Sequence, residues 1–418
     1  MLNGYQTILH KDALLHHFPD DWKLSRIGKV CEIWNTLRKP LSDEERQLMQ
    51  GLFPYYGPTS QVDSIAEYRL DGTYALIGED GDHFLKYDRM SMTQFITGKC
   101  NVNNHAHIIE GTSSCLTEWV FHFFRHRNIL HFLSRQGAGR YKLNKAALAK
   151  LPILLPPIPE QQKIAAILST WDRAIELTEK LIAAKQKRKQ ALMQQLLTGK
   201  VRLPQFVGSK KWTTTMLGDV VSLSSGGTPS KANPDYWNGE VPWVTAKDLK
   251  RRRLTDSIDH VSEIAIGNGT RLMPTGTVFV LVRGMTLLKD VPVCIASVPM
   301  CFNQDIRALT IHEKYDYRFI AYSLVASKHR LLSLVNVAGH GTGRLATEFL
   351  VEFPIRVPPT EDEQVSISDV IEVADAESSL LVRRVEKLRS QKKGLMQQLL
   401  TGKVRVNVDP KKAKEIVK

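Results

Sequence analysis

Positions 168, 171, 175, 178, 182, 185, 189, 192 and 196 hold Leu, Trp, Ile, Thr, Ile, Lys, Lys, Leu and Leu, at a spacing that alternates three and four. Positions 371 through 399 repeat that spacing with Ile, Ala, Ser, Leu, Val, Leu, Lys, Leu and Leu. Such a rhythm lays one apolar stripe along a helix, a seam for one partner helix. No proline or glycine interrupts Glu160 to Leu197, and the run is rich in Ala, Leu, Gln, Glu and Lys, all good helix formers. The second run, Glu363 to Leu400, has one blemish at Gly394. Both close on Thr-Gly, at Gly199 and Gly402, where glycine can take the left-handed conformation that ends a helix. The predicted seam is Leu168, Trp171, Ile175, Ile182, Leu192 and Leu196 on one helix and Ile371, Leu381, Val385, Leu388, Leu395 and Leu399 on the other, each helix being the other's obvious partner. Elsewhere the apolar alternation of Tyr74 to Ile77, Thr277 to Val282 and Val291 to Ile295 predicts strands. Glu118 to Leu133 and Tyr317 to Leu334 read as amphipathic helices.

The string Leu-Met-Gln-Gln-Leu-Leu-Thr-Gly-Lys-Val-Arg occurs at Leu192 to Arg202 and again, letter for letter, at Leu395 to Arg405, 203 residues on. An identical string at that distance marks an internal duplication. At the same offset Glu160-Gln161 aligns with Glu363-Gln364 and Asp172 with Asp375. Each half also opens alike, Trp22 leading to Ile27-Gly28 and Trp212 to Leu217-Gly218. The inserts 31–135 and 221–335 fill the same slot and resemble each other poorly. A shared frame with divergent inserts predicts a scaffold that reads two different things; neutral drift of a structural repeat is the plain alternative.

Charge narrows the partner. Lys and Arg number 57 against 43 Asp and Glu, a net charge of +14 with an isoelectric point near 9.5, and such a field draws in a polyanion. Five cysteines, Cys31, Cys100, Cys115, Cys294 and Cys301, lack Cys-x-x-Cys spacing and read as reduced buried thiols of a cytoplasmic protein. Met1 to Phe18 has three histidines and no apolar core, unlike a signal peptide. The longest apolar run, around Leu151 to Ile158, is broken by prolines and falls far short of the ~20 residues of a spanning helix. The expectation is a soluble cytoplasmic protein with no membrane contact.

The second insert carries, in order, Gly226-Gly-Thr-Pro229, Tyr236-Trp237, Pro242-Trp-Val-Thr245, Asp248-Leu249, Gly276-Thr277, Arg283-Gly284 and Asn303-Gln304-Asp305. The first carries Tyr55-Tyr-Gly57, Asp80-Gly81 and Asn103-Asn104-His105. The inserts close on Gly137-Ala-Gly139-Arg140 with Leu143 and on Gly341-Thr-Gly343-Arg344 with Leu345, followed by Pro-Pro turns, the Glu-Gln pairs and the long helices. The second turn, Pro358 to Gln364, has one extra residue. Across about residues 18 to 406 this series resembles the specificity subunit of a Type I restriction-modification enzyme. The resemblance implies an α+β fold: two target-recognition domains of mixed α/β structure, each followed by a long helix, the helices pairing as an antiparallel coiled coil with pseudo-two-fold duplication. The expected division is a first recognition domain over 1–155, a first coiled-coil arm over 156–202, a linker over 203–211, a second recognition domain over 212–357, a second arm over 358–406 and a basic tail over 407–418.

It further implies a non-catalytic subunit that reads a bipartite, asymmetric site in double-stranded DNA, one half-site per domain. Two modification subunits, adenine-N6 methyltransferases, and restriction subunits would assemble on it. S-adenosylmethionine, ATP and Mg would belong to those partners, with no cofactor in this chain. Base edges are read by Arg, Lys, Asn and Gln, while further cations fix register on phosphates. The candidates are Asn103, Asn104, His105 and Arg140 in the first half, and Thr228, Thr245, Lys247, Lys250, Arg251, Arg252, Arg253, Arg283, Asn303, Gln304 and Arg344 in the second. The run Lys247 to Arg253 is expected against phosphates or as a solvated face. The asparagines have amides suited to adenine, or they cap turns.

Catalytic signatures are missing. Asn233-Pro-Asp-Tyr236 lacks the second proline of the Asn-Pro-Pro-Tyr motif of adenine methyltransferases and reads as a turn; Thr198-Gly-Lys-Val201 is a helix end, not a phosphate loop. Pro242 stands where a nuclease would need lysine, and His105 and His107 lack a third metal ligand. The alternatives are a stand-alone DNA methyltransferase or nuclease, and a basic coiled-coil DNA-binding scaffold without sequence specificity.

Overall fold

The computed structural model describes residues 18–136, 140–337 and 341–408, without the side chains of Gln136 and Arg140. The loop residues Gly137 to Gly139 and most of the basic tail, 409–418, lie outside the described residues. Two compact units result, Met1–Glu179 with Arg384–Lys418, and Lys180–Arg383. Their boundaries cut through the two long helices, Ile158–Leu196 and Glu361–Leu399, of 39 residues each. Each unit therefore holds one globular domain, the first half of its own helix and the last half of the other.

The helices run antiparallel within each unit. In the first, Glu160, Asp172 and Glu179 pair with Arg405, Lys392 and Arg389, the partner's number falling as the first rises. In the second, Lys185, Lys189 and Arg202 pair with Glu377, Asp375 and Glu363. Leu168, Leu196, Ile371, Val385 and Leu399 are buried, and Trp171, Ile175, Ile182, Leu192, Leu381, Leu388 and Leu395 half-buried, as a heptad seam requires. Its polar positions are satisfied: the seam lysines meet acids, and Thr178 donates its hydroxyl to the Ala174 carbonyl at 2.6 Å.

The eleven-residue repeat is a plug. Met396 and Leu399 complete the core built on Trp22, Trp119, Ile164 and Leu168, while Met193, Leu196 and Leu197 complete the one built on Phe279, Phe319, Ile367 and Ile371. Each repeat ends on an arginine that grips a buried glutamate: Arg405 donates to Glu160 at 2.8 Å, Arg202 Nε to Glu363 at 2.9 Å. The opening tryptophans donate to the same carboxylates, Trp22 at 3.0 Å and Trp212 at 3.1 Å. The adjacent glutamines anchor the helix start, Gln161 accepting from Leu116 N–H and Gln364 from Asp316 N–H. Tryptophan, Glu-Gln and terminal Arg thus belong to one lock, built twice. Gly199 and Gly402 close the helices at φ 66° and 71°.

The first domain is built on a six-stranded sheet in the order Cys31–Ile33, Ala106–Gly111, Leu70–Gly78, Thr93–Val102, Gln50–Tyr56 and Gln61–Ile65. The second splits the same plan. A five-stranded sheet holds Val221–Ser225, Ile306–Ile311, Val278–Leu281, Val293–Ala296 and Arg253–Leu254, and a three-stranded one holds Asp259–Val261, Val241–Val244 and Cys301–Phe302. In each domain a two-stranded ribbon pairs the opening segment with the one before the long helix, Lys23–Arg26 with Pro152–Leu155 and Thr213–Met216 with Pro354–Val357. The helix expected over Glu118 to Leu133 is shorter, Thr117–Phe124, because the Asn128 side chain accepts from Leu130 N–H at 3.1 Å and makes a turn that competes with helix. Among the described residues no helix is long and apolar enough to cross a membrane.

Candidate nucleic-acid interface

Three segments meet at one place in each domain, held by matching backbone hydrogen bonds. The turns Asn103-Asn104-His105 and Asn303-Gln304-Asp305 each follow a sheet strand. The asparagine N–H donates to Tyr56 O in the first domain and to Val244 O in the second, both at 3.0 Å. Asn103 Oδ1 accepts from His105 N–H at 2.9 Å and Asn303 Oδ1 from Asp305 N–H at 3.2 Å. These two asparagines hold turns, leaving Asn104 and Gln304 exposed at the tips.

The turns carry the next segment. His105 O accepts from Glu79 N–H at 2.7 Å and Asp305 O from Val282 N–H at 2.8 Å; Glu79 O accepts from Leu143 N–H at 2.7 Å and Val282 O from Leu345 N–H at 2.9 Å. Asp80 then stands across from Lys142, as Arg283 does from Arg344. The backbone therefore makes Lys142 the counterpart of Arg344. Pairing Arg140 with Arg344 by their Gly-Arg sequences is two residues out of register, and the Arg140 side chain lies outside the described residues.

Equal frames carry unlike chemistry. In the second domain Arg283 and Arg344 are exposed neighbours without a salt bridge among the described residues, and Arg307 lies half-buried beside them. Burial and the neighbouring Arg344 guanidinium push the Arg307 pKa down. Arg307 donates to Gln304 O at 3.3 Å, and Thr228 Oγ1 donates to Gln304 Oε1 at 2.7 Å, leaving the glutamine N–H groups as donors. In the first domain Glu79 is gripped by Arg38 at 2.5 Å and Lys142 at 3.4 Å, and Asp80 lies 3.0 Å from His105 Nδ1. Around them opens a hollow of about 360 Å³ lined by Pro58, Thr59, Asp80, His83, Lys86 and His105. One face is a cluster of cations; the other is charge-balanced and rich in acceptors.

The remaining candidates divide. Thr245 N–H and Oγ1 both donate to Asp248, so this threonine builds a turn. Lys247, Lys250 and Arg251 are exposed. Arg252 pairs with Asp375 at 3.0 Å and stacks 4.8 Å over the Tyr322 ring, and Arg253 pairs with Glu372. Of the run expected against phosphates or as a solvated face, Arg252 and Arg253 are engaged by carboxylates of the long helix, and Arg251 is exposed. Asn233 accepts from Asp235 N–H and caps a short turn. His107 is buried, donating from Nε2 to Leu143 O at 2.6 Å with its other nitrogen against Asn35. Among the described residues no group of three His, Cys, Asp or Glu could hold a metal. Lys142 and Arg307 were not singled out by the sequence, and Asp80 drew notice there only as part of the Asp80-Gly81 motif; the backbone hydrogen bonds are what place Asp80 opposite Lys142 as Arg283 is opposite Arg344.

A family model described as the Type I restriction modification DNA specificity domain matches residues 19–185 and again 209–389. The EcoR124I/EcoR124II specificity subunit of Escherichia coli is 30% identical over 236 residues, 54% of this chain and 55% of the relative, so that match spans about half the relative's length. The MjaVIII specificity subunit of Methanocaldococcus jannaschii is 24% identical over 413 residues, 93% of this chain and 94% of that one. A crystal structure of the S subunit of a Type I restriction-modification system from M. genitalium shares the fold with a TM-score of 0.62 at 13% identity, covering 92% of this chain and 96% of that one.

Proposed function

Because the chain belongs to the family of the Type I restriction modification DNA specificity domain, we propose that it is the DNA-reading subunit of a Type I restriction-modification complex, each domain reading one half of a bipartite asymmetric site. The observation that carries this is the pair of matched frames that differ in charge at two equivalent positions, Asp80 against Arg283 and His105 against Asp305, while an amide (Asn104, Gln304) and a cation (Lys142, Arg344) are kept at the other two. Two domains meant for the same half-site have no reason to differ in charge at equivalent backbone positions. Arginine suits guanine O6 and N7, glutamine and asparagine suit adenine, and a carboxylate accepts from cytosine N4. Arg283 and Arg344 therefore read or clamp one half-site, while the Asp80 and His105 pair offers an acceptor to the other. Arg251, Lys247 and Lys250 add contacts to phosphate.

The chain itself performs no chemistry in this reading. Two modification subunits, carrying S-adenosylmethionine, dock on it and methylate adenine, and restriction subunits bring ATP and Mg-dependent cleavage. The paired helices set the gap between half-sites. Selection from a random duplex pool tests the reading: enrichment of two defined half-sites with a fixed gap is the expected result. Uniform, salt-sensitive binding without enrichment would make the chain a basic scaffold instead.

A further inference from the structure

The two inserts, dissimilar elsewhere, share one short stretch at the 203-residue spacing of the long helices: Gly81-Asp-His-Phe-Leu-Lys86 and Gly284-Met-Thr-Leu-Leu-Lys289. Both fold into a 3-10 turn, Asp82–Lys86 and Met285–Leu288. Each turn is preceded by its glycine at positive φ, 131° and 145°, a region that residues with a side chain rarely occupy. The third residue after the glycine is an anchor, Phe84 at 1% exposure and Leu287 at 0%, while Met285 in the second turn is exposed at 64%. The residue after the anchor is an exposed leucine, Leu85 at 49% and Leu288 at 41%, followed by an exposed lysine. Neither leucine belongs to the core clusters of its domain, yet both halves carry one at the same place.

Their location identifies the partner. Gly81 N–H donates to Tyr141 O at 3.3 Å, and Gly284 pairs with Gly343, which fixes each turn beside Asp80 and Lys142 or beside Arg283 and Arg344. Gly343 leaves no room for a side chain, since a Cβ there would come within 2.7 Å of Leu287 Cβ, so closing loop and turn are packed as one piece. Duplex DNA offers apolar surface on its thymine methyls, on its deoxyribose carbons and on the base faces inside the stack, and proteins that open a step do so with apolar wedges.

We propose that Leu85 with Lys86, and Leu288 with Lys289, are matched DNA wedges, one per half-site: the leucine enters a base step and the lysine holds the flanking phosphate. This rests on the DNA-reading function proposed above. The shared turn opens the stack in both half-sites, while the unlike residues around it choose the bases.

The test uses the full chain, purified with the subunits it assembles with, and the duplex enriched from the random pool. Each adenine other than the methylated ones is replaced in turn by 2-aminopurine, which pairs with thymine and brightens when unstacked; the methylated adenines are left out because methyltransferases extrude their target base. One bright step per half-site is expected. Leu288→Ala should darken one of them, leave the other, and weaken binding about tenfold; Leu85→Ala should do the same at the opposite half-site, and Leu288→Met should keep both. Leu288→Lys, which would tighten binding if the turn met only phosphate, should weaken it. Being exposed, both leucines can be exchanged without disturbing the core. No bright step, brightness indifferent to Leu288→Ala, or a binding loss reproduced by replacing one thymine with uracil would each overturn the wedge while leaving DNA reading intact. A pool that yields no bipartite site would instead overturn DNA reading, and the wedge with it.

Discussion

Replacing Lys392 by methionine should abolish a rise in stability between pH 8 and pH 10.5, without destabilising the protein at pH 7. Lys392 is 5% exposed, and its Nζ donates to Asp172 Oδ1 at 2.6 Å, while Arg125 takes the other oxygen of the same carboxylate at 2.7 Å. One carboxylate cannot fully compensate two cations. Burial pushes the Lys392 pKa from 10.5 down to about 8, the Arg125 charge acting the same way and Asp172 opposing both. The unfolded chain thus binds more protons than the folded one between these values, so stability climbs with pH across the window and is flat below about 8. At ~1.4 kcal/mol per pKa unit the climb amounts to about 3 kcal/mol. His122, which lies against the same cluster, is pushed down to about 3 by burial and stays neutral throughout. Methionine follows the same unbranched path without a proton to lose, and Asp172 keeps Arg125, so the exchange of a buried cation for an apolar group is neutral or favourable. The assay is urea unfolding of both proteins by tryptophan fluorescence from pH 7 to pH 10.5, where subtraction removes every titration they share. A flat difference between pH 8 and 10, or a loss of more than about 2 kcal/mol at pH 7, would refute the reasoning.

Substituting Arg283 and Arg344 by alanine should weaken DNA binding and flatten its salt dependence, by ~0.9 in the log–log slope for each phosphate deprived of its cation. Arg252→Ala should leave the slope unchanged and lower the unfolding midpoint instead, since it strips Asp375 and Tyr322 of a partner; a changed slope would return it to the DNA face. Exchanging residues 22–150 for the matching domain of a relative should alter one half-site of the methylated motif and spare the other, and movement of both would end the two-reader model. One heptad inserted between Lys185 and Lys189 keeps the seam in register while adding ~10.5 Å of helix. The gap in the methylated motif should then grow by about one to three base pairs, and an unchanged gap in an active enzyme would show that the helices do not set it.

The chain's own letters determined its periodic and repeated parts. Alternating threes and fours gave the seam from Leu168 to Leu196 and from Ile371 to Leu399, because a helix maps spacing directly onto a face. The Thr-Gly closures were legible for the same reason: glycine at positive φ is a local property. The repeat also announced two equivalent halves. Letters alone did not say why the repeat ends on arginine, since Arg405 meets Glu160 across 245 residues and Arg202 meets Glu363 across 161. Nor did they separate Arg251 from Arg252 and Arg253, three identical side chains of which two face carboxylates on the long helix and one faces water. The candidate site was legible only in pieces. Asn103, Asn303 and Arg344 drew notice through motifs, while Asp80 as the counterpart of Arg283, and Lys142 as that of Arg344, emerged only from backbone hydrogen bonds that constrain N–H and C=O groups and leave side chains free to diverge. A one-dimensional pattern records spacing along the chain; partners brought together across hundreds of residues are chosen by packing, which only the tertiary structure decides.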